Sequence, residues 1–404
     1  MPVTVDDVLR ARRVLSDVAV LTPVERSRWL ESLLGTPVHL KCENLQRAGS
    51  FKIRGAYVRI AGLSDDERAR GVVAASAGNH AQGVALAASL LGTRATVFMP
   101  HGAPIPKERA TRGYGAQVHF AGSVVDESLE RAQGFADETG AVLIHPFDHA
   151  DVVAGQGTLG LEVVEQVPDA GTVVVPCGGG GLLAGVAVTV KALRPGVRVV
   201  GVQADGAASW PASLAAGRPV PLASMRTMAD GIAVGRPGHV PFAAVSELVD
   251  EVLTVSEESM SQALLALLER AKLAVEPGGA AGVAALLEHG ERRDLFPGPV
   301  VAVLSGGNID PLLLLQVVRH GMAAAGRYLS FTVRVPDRPG ELVRLLGLLA
   351  EAGANVLDVV HQRVSAQLHV DEVEVALQLE TRGVEHHERV VAALRGAGYP
   401  VTFA

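Results

Sequence analysis

The sequence predicts an α/β protein with parallel β-sheets, followed by a smaller α+β unit at its carboxyl end. Three observations support this prediction. Apolar, strand-like runs alternate with helical patterns as far as residue 325, which is typical of a parallel sheet covered on both faces. From residue 328 the order becomes strand, helix, strand, strand, helix, strand. The length of 404 residues favours two or three domains over one.

The strands and helices of the α/β part follow one another in chain order. The strand "PVHLKCEN" leads through a Gly-Ser turn into a helix near Lys52. The next pairs are "GVVAAS" with "HAQGVALAASLLG", "ATVFMP" with "KERATRGYG", "AQVHFAG" with "DESLERAQGFADETG", and "TVVVPC" with "LLAGVAVTVKAL", before the strand "VRVVGVQAD". Because ligands bind beyond the carboxyl ends of such strands, we expect functional residues after "VVAAS", "VVVPC" and "VVAVLS".

The pattern changes at the small-residue segment "GMAAAGR", so we place the domains at residues 1–325 and 328–404. The elements of the tail are "YLSFTVRV", "PGELVRLLGLLAEAG", "ANVLDVVHQRV", "LHVDEVEVALQLE", "GVEHHERVVAALRGAG" and "YPVTF". This order predicts a ferredoxin-like split β-α-β fold. His386 and His387 lie in its polar helix, where we expect both to be solvated.

Composition excludes several classes of function. The formal net charge of −7 gives no support for nucleic acid or an anionic membrane as a partner. Cys42 and Cys177 are the only cysteines, so there is no disulfide framework and no CxxC metal site. The amino terminus lacks the apolar core of a signal peptide, and the apolar runs are shorter than the ~20 residues that span a bilayer. We therefore expect a cytoplasmic protein.

The loop "CGGGGLLAG" joins an apolar strand to a helix. Its four consecutive glycines, Gly178, Gly179, Gly180 and Gly181, let successive N–H groups face one concavity at the positive end of a helix, which suits a phosphate. No Lys-Ser/Thr follows, and the spacing is not convincing for a dinucleotide. The alternative is a merely flexible turn.

Two further loops and one lysine complete the pattern. In "SAGNHAQG", Ser76 and Asn79 are either helix caps or ligands for a carboxylate and a phenolic oxygen. In "LSGGNID", the Ser305 hydroxyl either closes a turn or contacts a ring nitrogen. Lys52 in "SFKIRGA" is either an exposed lysine or a desolvated amine that forms a Schiff base. Together, these features specify pyridoxal phosphate.

These motifs, with "HPFDHADVVAGQGTLGLE", "ADGIAV" and "VEPGGA", resemble those of the threonine ammonia-lyase (threonine dehydratase) family, over roughly residues 15–320. The tail resembles a single ACT domain. The resemblance implies a fold-type II pyridoxal-phosphate enzyme with two parallel-sheet lobes, the smaller one (roughly 48–150) inserted in the larger. It implies the deamination of L-threonine to 2-oxobutanoate and ammonia, and of L-serine to pyruvate.

The resemblance also implies residue roles. Lys52 would hold the cofactor and remove the Cα proton of the substrate, and Phe51 would lie beneath the cofactor ring. Asn79 would contact the phenolic oxygen and Ser305 the pyridine nitrogen. The remaining roles are phosphate binding by Gly178, Gly179, Gly180 and Gly181, and substrate carboxylate binding by Ser76, Asn79 and His80.

The sequence departs from the family at two places. Asp205 stands where relatives often have Glu at a cation site, but the residues that follow it are poor oxygen ligands, so we expect no metal. Gly278 stands where Ser is expected, which leaves Glu276 in place. The rival functions are a serine racemase of the same fold and a catalytically decayed amino-acid sensor. A racemase would need a second proton donor, and the resembling racemases have serine at the position of Ala77.

The tail contains a candidate regulatory turn. In "VPDRPGEL", Asp337, Pro339 and Gly340 form either an ordinary β–α turn or a site where a helix start receives an effector carboxylate. The resemblance implies an amino-acid effector, with isoleucine or valine expected. It also implies a homo-oligomer, a dimer or a tetramer, because ACT domains commonly pair side by side.

Overall fold

A computed structural model describes residues 2–363 and 371–403 of the chain. The chain forms two compact units, Met1–Leu313 and Leu314–Ala404. The predicted α/β class with parallel sheets is confirmed, and so is the additional antiparallel sheet at the carboxyl end. Within the described residues, no helix is long and apolar enough to cross a membrane.

The first unit contains ten strands and most of the helices in the described part of the chain. The strands are β1 (Val24–Arg26), β2 (Val38–Lys41), β3 (Val72–Ala75), β4 (Ala95–Met99), β5 (Gln117–Phe120), β6 (Val142–Leu143), β7 (Thr172–Pro176), β8 (Arg198–Ala204), β9 (Glu251–Val255) and β10 (Val300–Val303). The helices are α1 (Val5–Val14), α2 (Arg28–Leu34), α3 (Lys52–Ala61), α4 (Asp65–Arg70), α5 (Asn79–Leu90), α6 (Ile105–Gly113), α7 (Val125–Thr139), α8 (Ala150–Gln166), α9 (Gly181–Leu193), α10 (Ser209–Ala216), α11 (His239–Leu248), α12 (Glu257–Ala266) and α13 (Pro277–His289). Short 3₁₀ turns occupy Glu43–Leu45, Arg47–Gly49, Asp205–Ala207 and Asp230–Ile232, and a π-helical turn occupies Leu267–Ala271.

The larger sheet has the strand order β1-β2-β10-β7-β8-β9. All of its strands are parallel except β1, which pairs antiparallel with β2. Strand β7 is buried at every position, and so is β10, as expected for central strands covered on both faces. The helices α8 and α9 pack against this sheet through a core of mostly Val, Leu and Ala.

The smaller sheet is fully parallel, with the order β5-β4-β3-β6. Small residues on α5 let this helix lie close to the sheet and to α3. At Gly83, for example, an added Cβ would lie 3.1 Å from the backbone of Lys52. The carboxyl ends of β3, β7 and β10 lead into the three loops that the sequence singled out.

The second unit has the element order that the tail sequence predicts. It contains α14 (Pro311–Ala324), which begins before the boundary, and then β11 (Tyr328–Pro336), α15 (Glu341–Glu351), β12 (Asn355–Gln362), β13 (Glu372–Glu380), α16 (Val384–Gly396) and β14 (Val401–Phe403). The strands form one antiparallel sheet, β12-β13-β11-β14. Alternate residues of β11 and β13 are buried under α15 and α16, as a half-covered sheet requires.

The prediction that His386 is solvated is wrong. This side chain is 4% exposed. Its Nδ1 accepts a hydrogen bond from the Arg382 backbone at 3.0 Å, and its Nε2 donates to the Ala352 carbonyl at 2.8 Å. The His386 ring can be buried in this polar helix because the two backbone groups supply the hydrogen bonds that water would otherwise make.

Candidate active site

A cavity of about 610 Å³ lies in the first unit. The loops after β3, β7 and β10 meet there, because the strand ends of both sheets face it. The catalytic, cofactor and substrate residues predicted from the sequence all line it: Phe51, Lys52, Ser76, Asn79, His80, Gly178, Gly179, Gly180, Gly181 and Ser305.

Lys52 is the first residue of α3. The chain just before it is tied to the loop after β10, since the Phe51 N–H donates to the Ser305 carbonyl at 3.2 Å. Lys52 Nζ donates to the Pro146 carbonyl at 3.0 Å and lies 5.1 Å from the centre of the Phe51 ring. Burial lowers the pKa of Lys52 to about 8, although the nearby Glu276 opposes the shift. The amine therefore loses its proton more readily than an exposed lysine does.

The glycine loop ends where α9 begins, with Gly180 at the N-cap position and a φ of +97°. Its carbonyls have partners elsewhere: Gly178 accepts from Trp210 Nε1 at 2.8 Å, and Gly179 accepts from the Gly238 N–H at 3.0 Å. Among the described residues, no backbone group accepts from the N–H groups of Gly178, Gly179 or Gly180. These donors and the start of α9 thus suit an anion in the cavity.

Any side chain larger than that of glycine at Gly179 or Gly180 would collide with neighbouring aromatic rings. A Cβ at Gly179 would lie 2.5 Å from atoms of the Phe147 ring, and a Cβ at Gly180 would overlap Trp210. The loop is therefore not merely flexible, because its glycines allow a close approach that other residues would block.

Asn79 and His80 begin α5, with Gly78 at the N-cap position. The Asn79 side chain does not cap the helix but bonds to Glu276 and Asn308. His80 Nε2 bonds to the Ile144 carbonyl at 2.7 Å, so this nitrogen carries the proton. Burial lowers the pKa of His80 to about 3, with a smaller contribution from Lys52. His80 is thus neutral and presents a bare Nδ1, so a substrate carboxylate would meet its backbone N–H rather than its ring.

Ser76 follows β3, and its Oγ accepts from the Gly78 N–H at 3.0 Å. This bond forms a local turn of the kind that serine makes at helix starts. It leaves the hydroxyl proton available to a ligand. Ser305 lines the same cavity and is 4% exposed, as a residue at the end of a central strand should be.

Three polar side chains that line this cavity were not predicted as site residues, namely Glu276, Lys107 and Asp230. Glu276 is 3% exposed and lines the wall next to Asn79. Burial, and after it Asp230, raise the pKa of Glu276 to about 7. Lys107 Nζ bonds to Asp230 at 2.5 Å and so joins α6 to the 3₁₀ turn Asp230–Ile232. The motif "ADGIAV" contains Asp230, but nothing local in it indicates a partner 123 positions away.

The two departures from the family pattern also have a structural context. After Asp205, the Ala207 carbonyl and Ser209 Oγ both accept from Gln203 Nε2, at 3.1 and 3.4 Å. A Cβ at Gly278 would make ordinary contacts of 3.4 Å with Ile232. In the described part of the chain, His, Cys, Asp and Glu side chains form no group of three or more that could bind a metal ion.

In the second unit, Gly340 is the N-cap residue of α15 with a φ of +93°, where no described atom lies within 4 Å of an added Cβ. Asp337 pairs with Arg363 at 3.2 Å, and its N–H donates to the Asp371 carbonyl. The turn predicted for Asp337, Pro339 and Gly340 is therefore present and open on one side.

Comparisons with known proteins agree with this arrangement. The family model described as "Pyridoxal-phosphate dependent enzyme" matches residues 15–306. The chain is 47% identical to L-threonine ammonia-lyase of Thermotoga maritima over 99% of both chains, and 47% identical to L-threonine ammonia-lyase of Geobacter sulfurreducens over 94% of both. Among solved structures, it resembles threonine deaminase of Solanum lycopersicum, isoform 2 in its processed form (TM-score 0.74, 36% identity, 79% of this chain and 95% of that one). It also resembles maize serine racemase (TM-score 0.75, 36% identity, 80% and 99%).

Proposed function

This chain belongs to the family of pyridoxal-phosphate dependent enzymes, and we propose that it deaminates L-threonine to 2-oxobutanoate and ammonia by β-elimination of water. L-Serine would give pyruvate by the same route. The observation that supports the proposal most directly is that the amine of Lys52, whose pKa is lowered by burial, lines the same cavity as the glycine-lined anion site. The similarity to proteins named L-threonine ammonia-lyase, over nearly the whole chain, supports the choice of substrate.

The residues of the cavity fit pyridoxal phosphate. The loop Gly178, Gly179, Gly180 and Gly181 offers N–H donors at a helix start for the phosphate group. Lys52 offers a desolvated amine for the aldehyde. Phe51, Asn79 and Ser305 offer an apolar face and two polar contacts for the ring. When bound, the cofactor supplies a carbonyl carbon for the substrate amine and a ring that accepts electron density from Cα.

The reaction needs a base at Cα, and in this proposal Lys52 Nζ is that base. With a pKa of about 8, part of the population carries a neutral amine near neutral pH, so it can take the proton. The first N–H groups of α5 and the Ser76 hydroxyl would orient the substrate carboxylate. The Ser305 hydroxyl would contact the ring nitrogen without holding a proton there, which a carboxylate would do.

The test is the Lys52→Ala variant, compared with Lys191→Ala, whose lysine pairs with Asp250 and does not line the cavity. We expect the parent and Lys191→Ala to be yellow and to form 2-oxo acids from L-threonine and L-serine. Lys52→Ala should lose the visible band and nearly all turnover, because both the amine anchor and the base disappear. Full turnover in Lys52→Ala would refute the mechanism.

The second candidate function is serine racemisation, which the similarity to maize serine racemase raises. Ala77 lines the cavity, and its methyl group cannot deliver a proton to the face opposite Lys52. We therefore expect recovered L-serine to keep its configuration while pyruvate accumulates. Formation of D-serine faster than pyruvate would favour the racemase. A protein that retains no cofactor would instead favour a decayed amino-acid sensor.

We also propose that the tail is an ACT domain that regulates the enzyme in a cytoplasmic homo-oligomer, a dimer or a tetramer. The open turn at Asp337, Pro339 and Gly340 would receive the carboxylate of an effector amino acid, isoleucine or valine. Coupling of this kind typically amounts to about 1–3 kcal/mol. The support is the βαββαβ order of the second unit and the positive φ of Gly340 at a helix start.

Truncation after Ala325 tests this regulatory role. The shortened chain should deaminate threonine at the parent rate but no longer respond to isoleucine or valine at millimolar concentration. If the full-length enzyme ignores both amino acids, these effectors are excluded. If the shortened chain is folded and yellow but inactive, the tail is needed for chemistry.

A further inference from the structure

The carboxamide of Asn79 is fixed at both ends by side chains far away in the sequence. Its Nδ2 donates to Glu276 Oε1 at 2.5 Å, and its Oδ1 accepts from Asn308 Nδ2 at 2.8 Å. Asn79 and Glu276 are 8% and 3% exposed. Water therefore does not compete strongly for these bonds, and the two partners decide how the amide is turned.

The direction of this chain of hydrogen bonds follows from one backbone carbonyl. Asn308 Nδ2 also donates to the Ala48 carbonyl at 2.7 Å. A carbonyl oxygen can only accept, so the amino end of Asn308 must face Ala48 and Asn79. Asn79 must then present its oxygen to Asn308 and its nitrogen to Glu276. The orientation is thus set by chemistry, since the reverse one would place two donors and two acceptors against each other.

The backbone around the three side chains is shaped to admit them. An added Cβ at Gly49, which has a φ of +69°, would overlap the Asn308 amide. An added Cβ at Gly306 would overlap Glu276 Oε1 and lie 2.9 Å from Asn79 Nδ2. Glu276 Oε2 is buried without a hydrogen-bond partner among the described residues, so the carboxylate has one fixed contact, the one to Asn79.

We propose that Glu276 and Asn308 are positioning residues that turn Asn79 so that an N–H group, and not its oxygen, faces the phenolic oxygen of the cofactor. The inference rests on the cofactor role proposed for Asn79. One N–H of Asn79 Nδ2 is used by Glu276, and the other has no acceptor in the described part of the chain. Asn79 lines the same cavity as Lys52 and Ser305, so this second N–H is the donor available to the ring.

The test uses variants that should reverse the orientation of the Asn79 carboxamide. In Asn308→Asp, position 308 can no longer donate, so Asn79 gains a bond only by turning its nitrogen toward Asp and its oxygen toward Glu276. At a pH above the Glu276 pKa of about 7, where this carboxyl is ionised and cannot donate, adding Glu276→Gln supplies a donor for that oxygen and removes the clash of two acceptors. The double variant should therefore recover the part of the unfolding free energy that is lost between Asn79 and position 276, but not the part that is lost at the Ala48 carbonyl. It should not recover cofactor binding, because the inverted Asn79 presents an oxygen to the phenolic oxygen.

The measurement is the dissociation constant of pyridoxal phosphate, obtained by dilution and dialysis of the holoenzyme, with urea unfolding of the same samples. We expect a loss of affinity of about tenfold or more in Asn308→Asp and in the double variant. The matched control is Asn44→Asp. Asn44 is also buried and donates to a carbonyl, that of Ala274, but it does not contact Asn79.

Each outcome decides the question. Recovered stability with weak cofactor binding in the double variant supports the proposal. Recovery of both, or equal losses of affinity in Asn308→Asp and Asn44→Asp, would mean that the residues only hold the fold together. If Asn308→Asp does not fold, Asn308→Ala replaces it and should bind the cofactor several-fold more weakly than Asn44→Ala. An unchanged visible band after Lys52→Ala would instead refute the Schiff base at Lys52, and with it the proposed function on which this inference rests.

Discussion

The buried ion pair of Arg54 and Glu43 gives the strongest stability prediction. Arg54 Nε and one of its terminal nitrogens donate to the two oxygens of Glu43, both at 2.8 Å, and the other terminal nitrogen contacts Glu162 at 2.6 Å. Arg54 and Glu43 are 1% and 0% exposed. Burial alone would raise the pKa of Glu43, but Arg54, followed by Thr22, holds it below its usual value.

Arg54→Met removes the cation and keeps a side chain of similar length. Within the described residues, Glu43 is then a buried carboxylate whose one remaining direct partner is the Thr22 hydroxyl, at 2.6 Å. Removing one member of a buried ion pair typically costs about 3–5 kcal/mol, so we expect a loss of that size in the free energy of unfolding. The double variant Arg54→Met with Glu43→Gln should be more stable than Arg54→Met alone, because no charge is left without its partner.

Urea unfolding followed by tryptophan fluorescence measures this loss in the first unit alone, since both tryptophans, Trp29 and Trp210, lie there. The matched control is Arg12→Met. Arg12 pairs with Glu165 through two contacts, but the two side chains are 49% and 51% exposed, and exposed pairs contribute little. If Arg54→Met lowers the unfolding midpoint no more than Arg12→Met, the argument from burial is refuted.

Two other predictions follow from the cavity. Gly179→Asp should retain its cofactor poorly on dialysis, because the new side chain must displace the Phe147 ring and adds a negative charge to an anion site. The control is Gly196→Asp, at an exposed position where no atom lies within 4 Å of an added Cβ. This variant should retain its cofactor as the parent does. His80 keeps a pKa of about 3 in the folded chain against 6.5 as its ordinary value, so its contribution to stability is present above the ordinary value and is lost as the pH falls toward 3. His80→Gln should therefore reduce the slope of unfolding free energy against pH by up to ~1.4 kcal/mol per pH unit between about pH 5 and 6.

The parts of the fold that have a local pattern could be predicted from the sequence. Apolar runs such as the one in "TVVVPC", which forms β7, indicate central parallel strands because both faces of such strands are covered. Glycine runs at strand ends indicate ligand loops, and the loops do meet at one cavity. The antiparallel pairing of β1 with β2 could not be predicted, because a three-residue strand has too short a pattern to detect.

The polar partners in the interior could not be predicted in the same way. Glu276 and Asn308 lie 197 and 229 positions from Asn79, and no spacing rule relates them. Lys41 and Arg54 are fully buried, although lysine and arginine are almost never so unless they are paired. Their partners, Glu43 and Glu162, come from other elements, so the pairing exists only in the folded chain.

Lys52 and Arg54 lie in the same turn of α3, but their pKa values shift in opposite directions. Lys52 and Arg54 are two positions apart, which places them on different sides of α3. Arg54 faces two carboxylates, which raise its pKa beyond its ordinary value despite burial. Lys52 has a carbonyl as its hydrogen-bond acceptor, and Glu276 acts on it only at longer range, so burial dominates and lowers its pKa. The ion pairs of Arg54 fix the helix from the interior, and the amine on the cavity side can remain a base because those carboxylates are already paired.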